Sequence, residues 1–495
     1  MTTPTITPHA RVTARAYRPG VSDEQREVDV VVVGAGAVGE NVADRAGRGG
    51  LDVVVVEKEL VGGECSYWAC MPSKALLLSG HALAAARRLP GAAEAVTGTL
   101  DAAAVLARRT TFTHDWDDSS QADWVESAGM SLVRGSARLV GPRRLEVETE
   151  DGTVTLVARQ AVVLATGSHP VLPDVPGLAT ALPWTSREAT SSDTVPPRLA
   201  VLGGGVVAVE LAQAYARLGS TVTLLVRSSL LRGFEDFAGE AVAEALRGDG
   251  VDVRLGASPA SVSRTGTEVT VTLEDGSTVV AEELLVATGR TPVTTGIGLD
   301  AVGLEDGGRI TVDDSGLVEG VEGDWLYAVG DVTGRAPLTH QGKYDARAVG
   351  DAIAARATGE LVGDAPAWSR YAGTATRAAV PQVVFTDPEV ASVGRTAQQA
   401  RDAGIDVKVV DYDMANVAGA SLVADGYTGH ARMVVDEQRG VVVGVTFVGQ
   451  GVSELLHSAT VAVVGEVPLH RLWHAVPSYP TISEVWLRLL ETYGL

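Results

Sequence analysis

The chain has 495 residues, 45% of them hydrophobic, with 56 glycines and only two cysteines. At about 150 residues per domain, this length predicts roughly three domains, each able to bury a core. Forty basic against 62 acidic side chains give a net charge of −22. That argues against sequence-independent binding to nucleic acid or anionic membrane, since both need a basic face. The sequence contains no run of ~18 apolar residues of the kind that could span a bilayer.

Residues 1–27 are polar, with Thr, Pro and Arg and no apolar stretch of the secretory kind. They are read as a mobile tail on a cytoplasmic protein. A βαβ plan then occurs twice. Residues 28–57 run from a valine strand through Gly34, Gly36 and Gly39 into a helix and a second strand ending at Glu57. Residues 197–227 repeat the plan with Gly203, Gly205 and Ala208. In GxGxxG/A turns the glycines allow a tight turn, close approach of a pyrophosphate and tight helix–strand packing, with the helix N-terminus facing the phosphates. Two such units imply two nucleotides. Glu57 ends the first unit's second strand, where a carboxylate accepts hydrogen bonds from a ribose. Val226 holds the matching place in the second unit, with Arg227 and Arg232 nearby. No acid and two arginines suit a 2′-phosphate, predicting NADPH over NADH; a solvated loop is the alternative reading of these arginines.

Both cysteines lie in Gly62-Gly63-Glu64-Cys65-Ser66-Tyr67-Trp68-Ala69-Cys70-Met71-Pro72-Ser73-Lys74. In a regular helix, Cα atoms at i and i+5 would be roughly 8–9 Å apart, beyond the ~7 Å limit for a disulfide. The turn must therefore be distorted, with Pro72 as the candidate cause, and a bond held there is expected to be reducible. Residues 72–111 read as helical, 131–166 and 251–287 as strand-rich, and 380–495 as strands alternating with helices. Trp325–Asp331 reads as a strand ending in a Gly-Asp turn.

From about residue 28 to 490, the ordered motifs resemble the class I pyridine nucleotide-disulfide oxidoreductases, the group of glutathione reductase, dihydrolipoamide dehydrogenase and mercuric reductase. The motifs are GxGxxG, GGxCxxxxCxPSK, Ala165-Thr166-Gly167, GxGxxA, Ala287-Thr288-Gly289-Arg290, Ala328-Val329-Gly330-Asp331 and the segment Pro381–Glu389. The resemblance implies an α/β fold of two Rossmann-like dinucleotide-binding domains plus a C-terminal α+β dimerisation domain. The expected boundaries are 28–185 with 306–365 for FAD, 186–305 for NAD(P)H and 378–495 for the interface. It implies FAD on the first turn, with Gly63, Thr166, Gly167 and Gly289 at motif positions and Asp331 on the ribityl chain. It also implies Cys70 as the thiolate beside the flavin, Cys65 as the thiol that exchanges with substrate, and Lys74 paired with Glu210. A homodimer with shared active sites follows from the same likeness.

The family's His-Pro-Thr-x-x-Glu segment reads Tyr479-Pro480-Thr481-Ile482-Ser483-Glu484 here. A phenol of pKa ~10 does not cycle protons near neutrality, so Tyr479 donates a hydrogen bond or lines the pocket. His457, His470 and His474 are read as surface or partly buried rather than catalytic. Tyr67 and Trp68 either line an apolar substrate pocket or pack.

The expected function is an NADPH-dependent FAD enzyme passing electrons through Cys65 and Cys70 to a disulfide or other electrophilic small molecule. Mercuric reductase-like chemistry is a subtype, although Leu490–Leu495 hold no second cysteine pair. Two alternatives stay open: thiol-driven cleavage resembling 2-ketopropyl-coenzyme M oxidoreductase/carboxylase, and a catalytically silent flavoprotein subunit.

Overall fold

The protein is described here by a computed structural model covering residues 25–495. The tail reading lies outside the described residues for 1–24. Residues 25–27 are not tail. They open β1 (Gln25–Val33), where Gln25, Arg26 and Glu27 pair with Thr155, Leu156 and Val157.

Two compact units divide the chain. The first comprises the described residues up to Gly63, with 117–167 and 293–373. Its seven-stranded sheet has β1 between β2 (Val53–Glu57) and the strand Gly152–Leu164, both parallel to it. Strands Ser131–Arg134 and Leu326–Ala328 extend the parallel part, and Arg144–Thr149 and Ser136–Gly141 add an antiparallel edge. Val30–Val32 and Val53–Val56 are at most 1% exposed. Continuous valine runs are what a strand covered on both faces requires. Helix α1 (Ala37–Arg48) packs on the helix Thr339–Thr358. A Cβ at Gly350 would lie 2.5 Å from Arg45 Cβ, so only glycine permits this approach.

The second unit comprises 64–116, 168–292 and 374–495. A four-stranded parallel sheet runs Asp252–Leu255, Thr221–Val226, Arg198–Leu202, Glu283–Val286. A three-stranded antiparallel sheet follows over residues 259–281. The C-terminal sheet has five antiparallel strands, and helices Val452–Val464 and Val485–Tyr493 bury Leu455, Leu456, Val485 and Leu489 in its core.

Sequence reading assigned 64–116 to the FAD-binding domain, whereas it clusters with the second unit. Leu76 and Leu77 of α3 (Cys70–Arg87) and Val105 and Leu106 of α4 (Ala102–Phe112) share one core with Val201, Val209, Leu211 and Val384. The single helical stretch expected over 72–111 is these two helices, separated by residues 88–101, which begin with Arg88-Leu89-Pro90-Gly91.

Candidate active site

In the first unit, Gly34 takes φ +102°, and a Cβ there would lie 2.4 Å from the Ala165 carbonyl oxygen. A Cβ at Gly39 would lie 1.9 Å from Gly34 O, so the helix start sits directly on the turn. Gly36 precedes α1, and its missing Cβ would meet only Gly63 Cα, at 4.0 Å. The site thus has a bare backbone cradle at a helix N-terminus, which fits a dinucleotide pyrophosphate. Gly62 N donates to Ala35 O (2.7 Å) beside it. Glu57 is buried, and its two oxygens accept from Ala35 N and Glu59 N, each at 2.7 Å. Thr166 Oγ1 donates to Val293 O (2.7 Å), and Val293 N to Gly167 O (3.0 Å). Asp331, half-buried, follows Gly330, whose φ is +80°.

Glu40, in the first turn of α1, escaped sequence reasoning. Its Oε1 is buried without a hydrogen-bond partner. Burial pushes its carboxyl up to about 7, against the pull of Lys343 and with a smaller push from Glu57.

The second unit repeats the cradle. Gly203 has φ +138°, with its would-be Cβ 2.3 Å from Ala287 O, while around Gly205 there is open space. Ala208 is fully buried. Leu231 N donates to Gly204 O (2.8 Å), fastening the loop after the strand Thr221–Val226 onto the glycine turn. Arg227 and Arg232 are exposed on that loop, and Val226 is buried. Gly289 adopts φ +147°, and Val171 N donates to its carbonyl at 3.0 Å.

Cys65 lies on α2 (Gly63–Tyr67), and Cys70 begins α3; both are half-buried. The helical path breaks between them at Ala69, with φ −131° and ψ −97°. Pro72 is therefore not the cause: it sits in the first turn of α3, where a missing N–H is tolerated. Tyr67 is fully buried and accepts from Trp116 Nε1 on its carbonyl (3.2 Å), so it packs rather than lines a pocket. Trp68 is half-buried beneath the Arg187 guanidinium, 4.2 Å from its ring centroid.

One turn into α3, Lys74 Nζ lies 2.7 Å from Glu210 Oε2 and 4.8 Å from the Phe385 ring centroid. The other Glu210 oxygen accepts from Phe385 N (2.9 Å). Tyr479 is 76% exposed and precedes a cis bond to Pro480. Glu484 is buried and is held by Arg488 (2.5 Å), with its Oε2 unpartnered. His457, His470 and His474 are exposed. His81 was not singled out from the sequence; burial holds it below the usual imidazole range, and its Nε2 lacks a partner.

No helix among the described residues is long and apolar enough to cross a membrane. Residues 28–356 match the pyridine nucleotide-disulphide oxidoreductase family, and 380–489 match that family's dimerisation domain. A mercuric reductase from Shigella flexneri is 35% identical over 475 residues, covering 94% of this chain and 80% of that protein. A dihydrolipoyl dehydrogenase from Haloferax volcanii is 31% identical over 491 residues, covering 95% and 97%. Among solved structures, the HOCl-induced flavoprotein disulfide reductase RclA from Escherichia coli, as its Cu(II) complex, superposes with a TM-score of 0.80 at 24% identity, covering 94% and 99%. LpdA from Mycobacterium tuberculosis gives 0.78 at 26% identity, covering 94% and 100%. The chain is therefore a member of the pyridine nucleotide-disulphide oxidoreductases, FAD-dependent flavoenzymes that act on sulfur groups.

Proposed function

We propose that this protein uses NADPH to reduce a disulfide or another electrophilic small molecule through a Cys65–Cys70 redox disulfide, without a histidine general acid. One observation carries the reading. Cys70 is the first residue of an 18-residue helix, and one turn on Lys74 holds Glu210. A helix N-terminus favours a thiolate, the nucleophilic form of cysteine.

FAD, when bound, relays two electrons between a nicotinamide and a disulfide. Gly34, Gly36, Gly39, Glu57, Gly63, Thr166, Gly167 and Asp331 are the residues proposed to hold it. Gly203, Gly205, Ala208 and Gly289 would hold the nicotinamide nucleotide. The exposed Arg227 and Arg232, with no carboxylate at Val226, favour a 2′-phosphate and so NADPH over NADH. Tyr479 and Glu484 are assigned to the acceptor side in a homodimer. The dimerisation-domain match supports that assembly, as do the exposed Val461 (54%), Val476 (86%) and Tyr479 of the C-terminal region. With tyrosine at 479, acceptors whose leaving group needs no protein acid are favoured.

Reduction of mercuric ion is the second reading, favoured by the 35% identity to the Shigella protein. The two cysteines of the whole chain both lie in the Cys65–Cys70 loop, which leaves no other thiol to pass a metal ion inward.

The test is NADPH oxidation by the FAD-loaded protein with small disulfides, quinones and mercuric ion in turn, for the parent and Cys65→Ser. Turnover lost in Cys65→Ser supports the reading, and the preferred acceptor chooses between its forms. Equal turnover in both proteins contradicts it. Release of a ketone or dependence on carbon dioxide would favour carbon–sulfur cleavage instead.

A further inference from the structure

Glu64 stands directly before Cys65, and its carboxylate is bound on both oxygens. Arg187 Nε donates to Oε1, and Arg290 Nη2 reaches Oε2 at 3.4 Å. Glu64, Arg187 and Arg290 are 25%, 33% and 26% exposed, so solvent screens these charges only in part. Arg290 is itself fixed, donating to Ser168 Oγ (2.8 Å) and Ser168 O (2.6 Å). The same Arg187 guanidinium that binds Glu64 covers the Trp68 ring, and Thr190 Oγ1 donates to the Trp68 carbonyl (3.0 Å). One arginine therefore grips the cysteine loop at two points, one before Cys65 and one between the cysteines.

We propose that Arg187 is a positioning residue for the Cys65–Cys70 pair: by bridging Glu64 and Trp68 it fixes the loop and offsets the acidic charge beside Cys65, which favours the dithiol. This deepens the proposed function and rests on the pair being redox-active. In the reduction step a reductant supplies two electrons, the Cys65–Cys70 sulfur–sulfur bond breaks, and each sulfur gains one electron. One or two protons are taken up, according to whether one thiol stays ionised. A carboxylate alone beside a thiolate disfavours it, and a guanidinium favours it. With Arg187 present, two guanidiniums face one carboxylate. Without it, only the longer Arg290 contact remains. A less stable dithiol makes a weaker oxidant. Loss of one charge at short range in a partly screened site shifts the equilibrium by roughly tenfold, or ~30 mV for a two-electron couple.

The test equilibrates the FAD-loaded protein anaerobically with mixtures of reduced and oxidised dithiothreitol, then alkylates it and reads the intact mass. The dithiol gains two alkyl groups and the disulfide none, because the chain has no other cysteine. Arg187→Leu is expected to shift the midpoint roughly tenfold toward the disulfide, and Arg187→Lys to restore part of that shift. Glu64→Gln is expected to shift it the other way, and it carries the test alone if Arg187→Leu does not fold. Midpoints for Arg187→Leu and Glu64→Gln that match the parent overturn the role of Arg187 while leaving the redox pair standing. A parent that gains two alkyl groups in every mixture overturns the pair itself, and this proposal with it.

Discussion

Lys74 Nζ and Glu210 Oε2 meet at 2.7 Å across 136 residues of sequence, joining α3 to the helix Val206–Arg217. Glu210 is only 3% exposed, and its second oxygen takes the Phe385 N–H. Removing the carboxylate therefore leaves both an ammonium and a backbone donor short of a partner. Glu210→Ala is expected to cost about 3 kcal/mol in urea unfolding. Glu210→Gln keeps an acceptor for Phe385 and should cost less. Equal losses in the two variants would show that the ion pair, not the acceptor, carries the stabilisation.

Glu40 gives a pH-dependent prediction. Its folded-state carboxyl is raised from 4.5 to about 7. Below pH 4.5 both folded and unfolded chains hold the proton, and the group contributes nothing. As pH rises toward 7, only the unfolded chain releases it, so stability falls by an amount on the order of 3 kcal/mol above pH 7. Glu40→Gln should stabilise the protein at pH 8, with most of that gain gone at pH 5. Unfolding midpoints at both pH values and equal FAD occupancy check this. A gain that does not change with pH would contradict it.

Two glycines of the second turn separate folding from binding. Gly203 has a positive φ and no room for a Cβ beside Ala287 O, so Gly203→Ala should lower the melting temperature clearly. Gly205 has an ordinary φ of −84° and open space around it. Gly205→Ala should melt like the parent yet raise the KM for NADPH, because the added methyl enters the space proposed for phosphate. Calorimetry with steady-state kinetics distinguishes the two.

Arg227→Ala with Arg232→Ala should lower kcat/KM for NADPH by tenfold or more, on the order of 1.4 kcal/mol or more, and leave NADH nearly unchanged. Equal losses with both nucleotides would place these arginines away from the 2′-phosphate.

The glycine turns and the alternating strands and helices were legible because they depend on neighbours in sequence. The Gly34 and Gly203 turns each need local backbone freedom, and that requirement is written in the residue itself. Lys74 and Glu210 could be paired only through family resemblance, since nothing in either segment points to the other. Glu64 and Arg187, 123 residues apart, carried no local signal except an acid placed next to a cysteine. The helix break was foreseen from the cysteine spacing but attributed to Pro72. It lies at Ala69, because a proline in a first helical turn has no intrahelical N–H to lose. The grouping of 64–116 with the second unit arises from Leu76, Leu77, Val105 and Leu106 entering a core built largely from residues more than 80 positions away.

Anaerobic titration of the FAD-loaded protein with NADPH, followed by absorbance, tests whether Cys65 and Cys70 exchange electrons with the flavin. A redox-linked pair is expected to give a long-wavelength thiolate-to-flavin band after two electrons, absent in Cys70→Ser. Bleaching of the flavin by the first two electrons, with no such band, would contradict it.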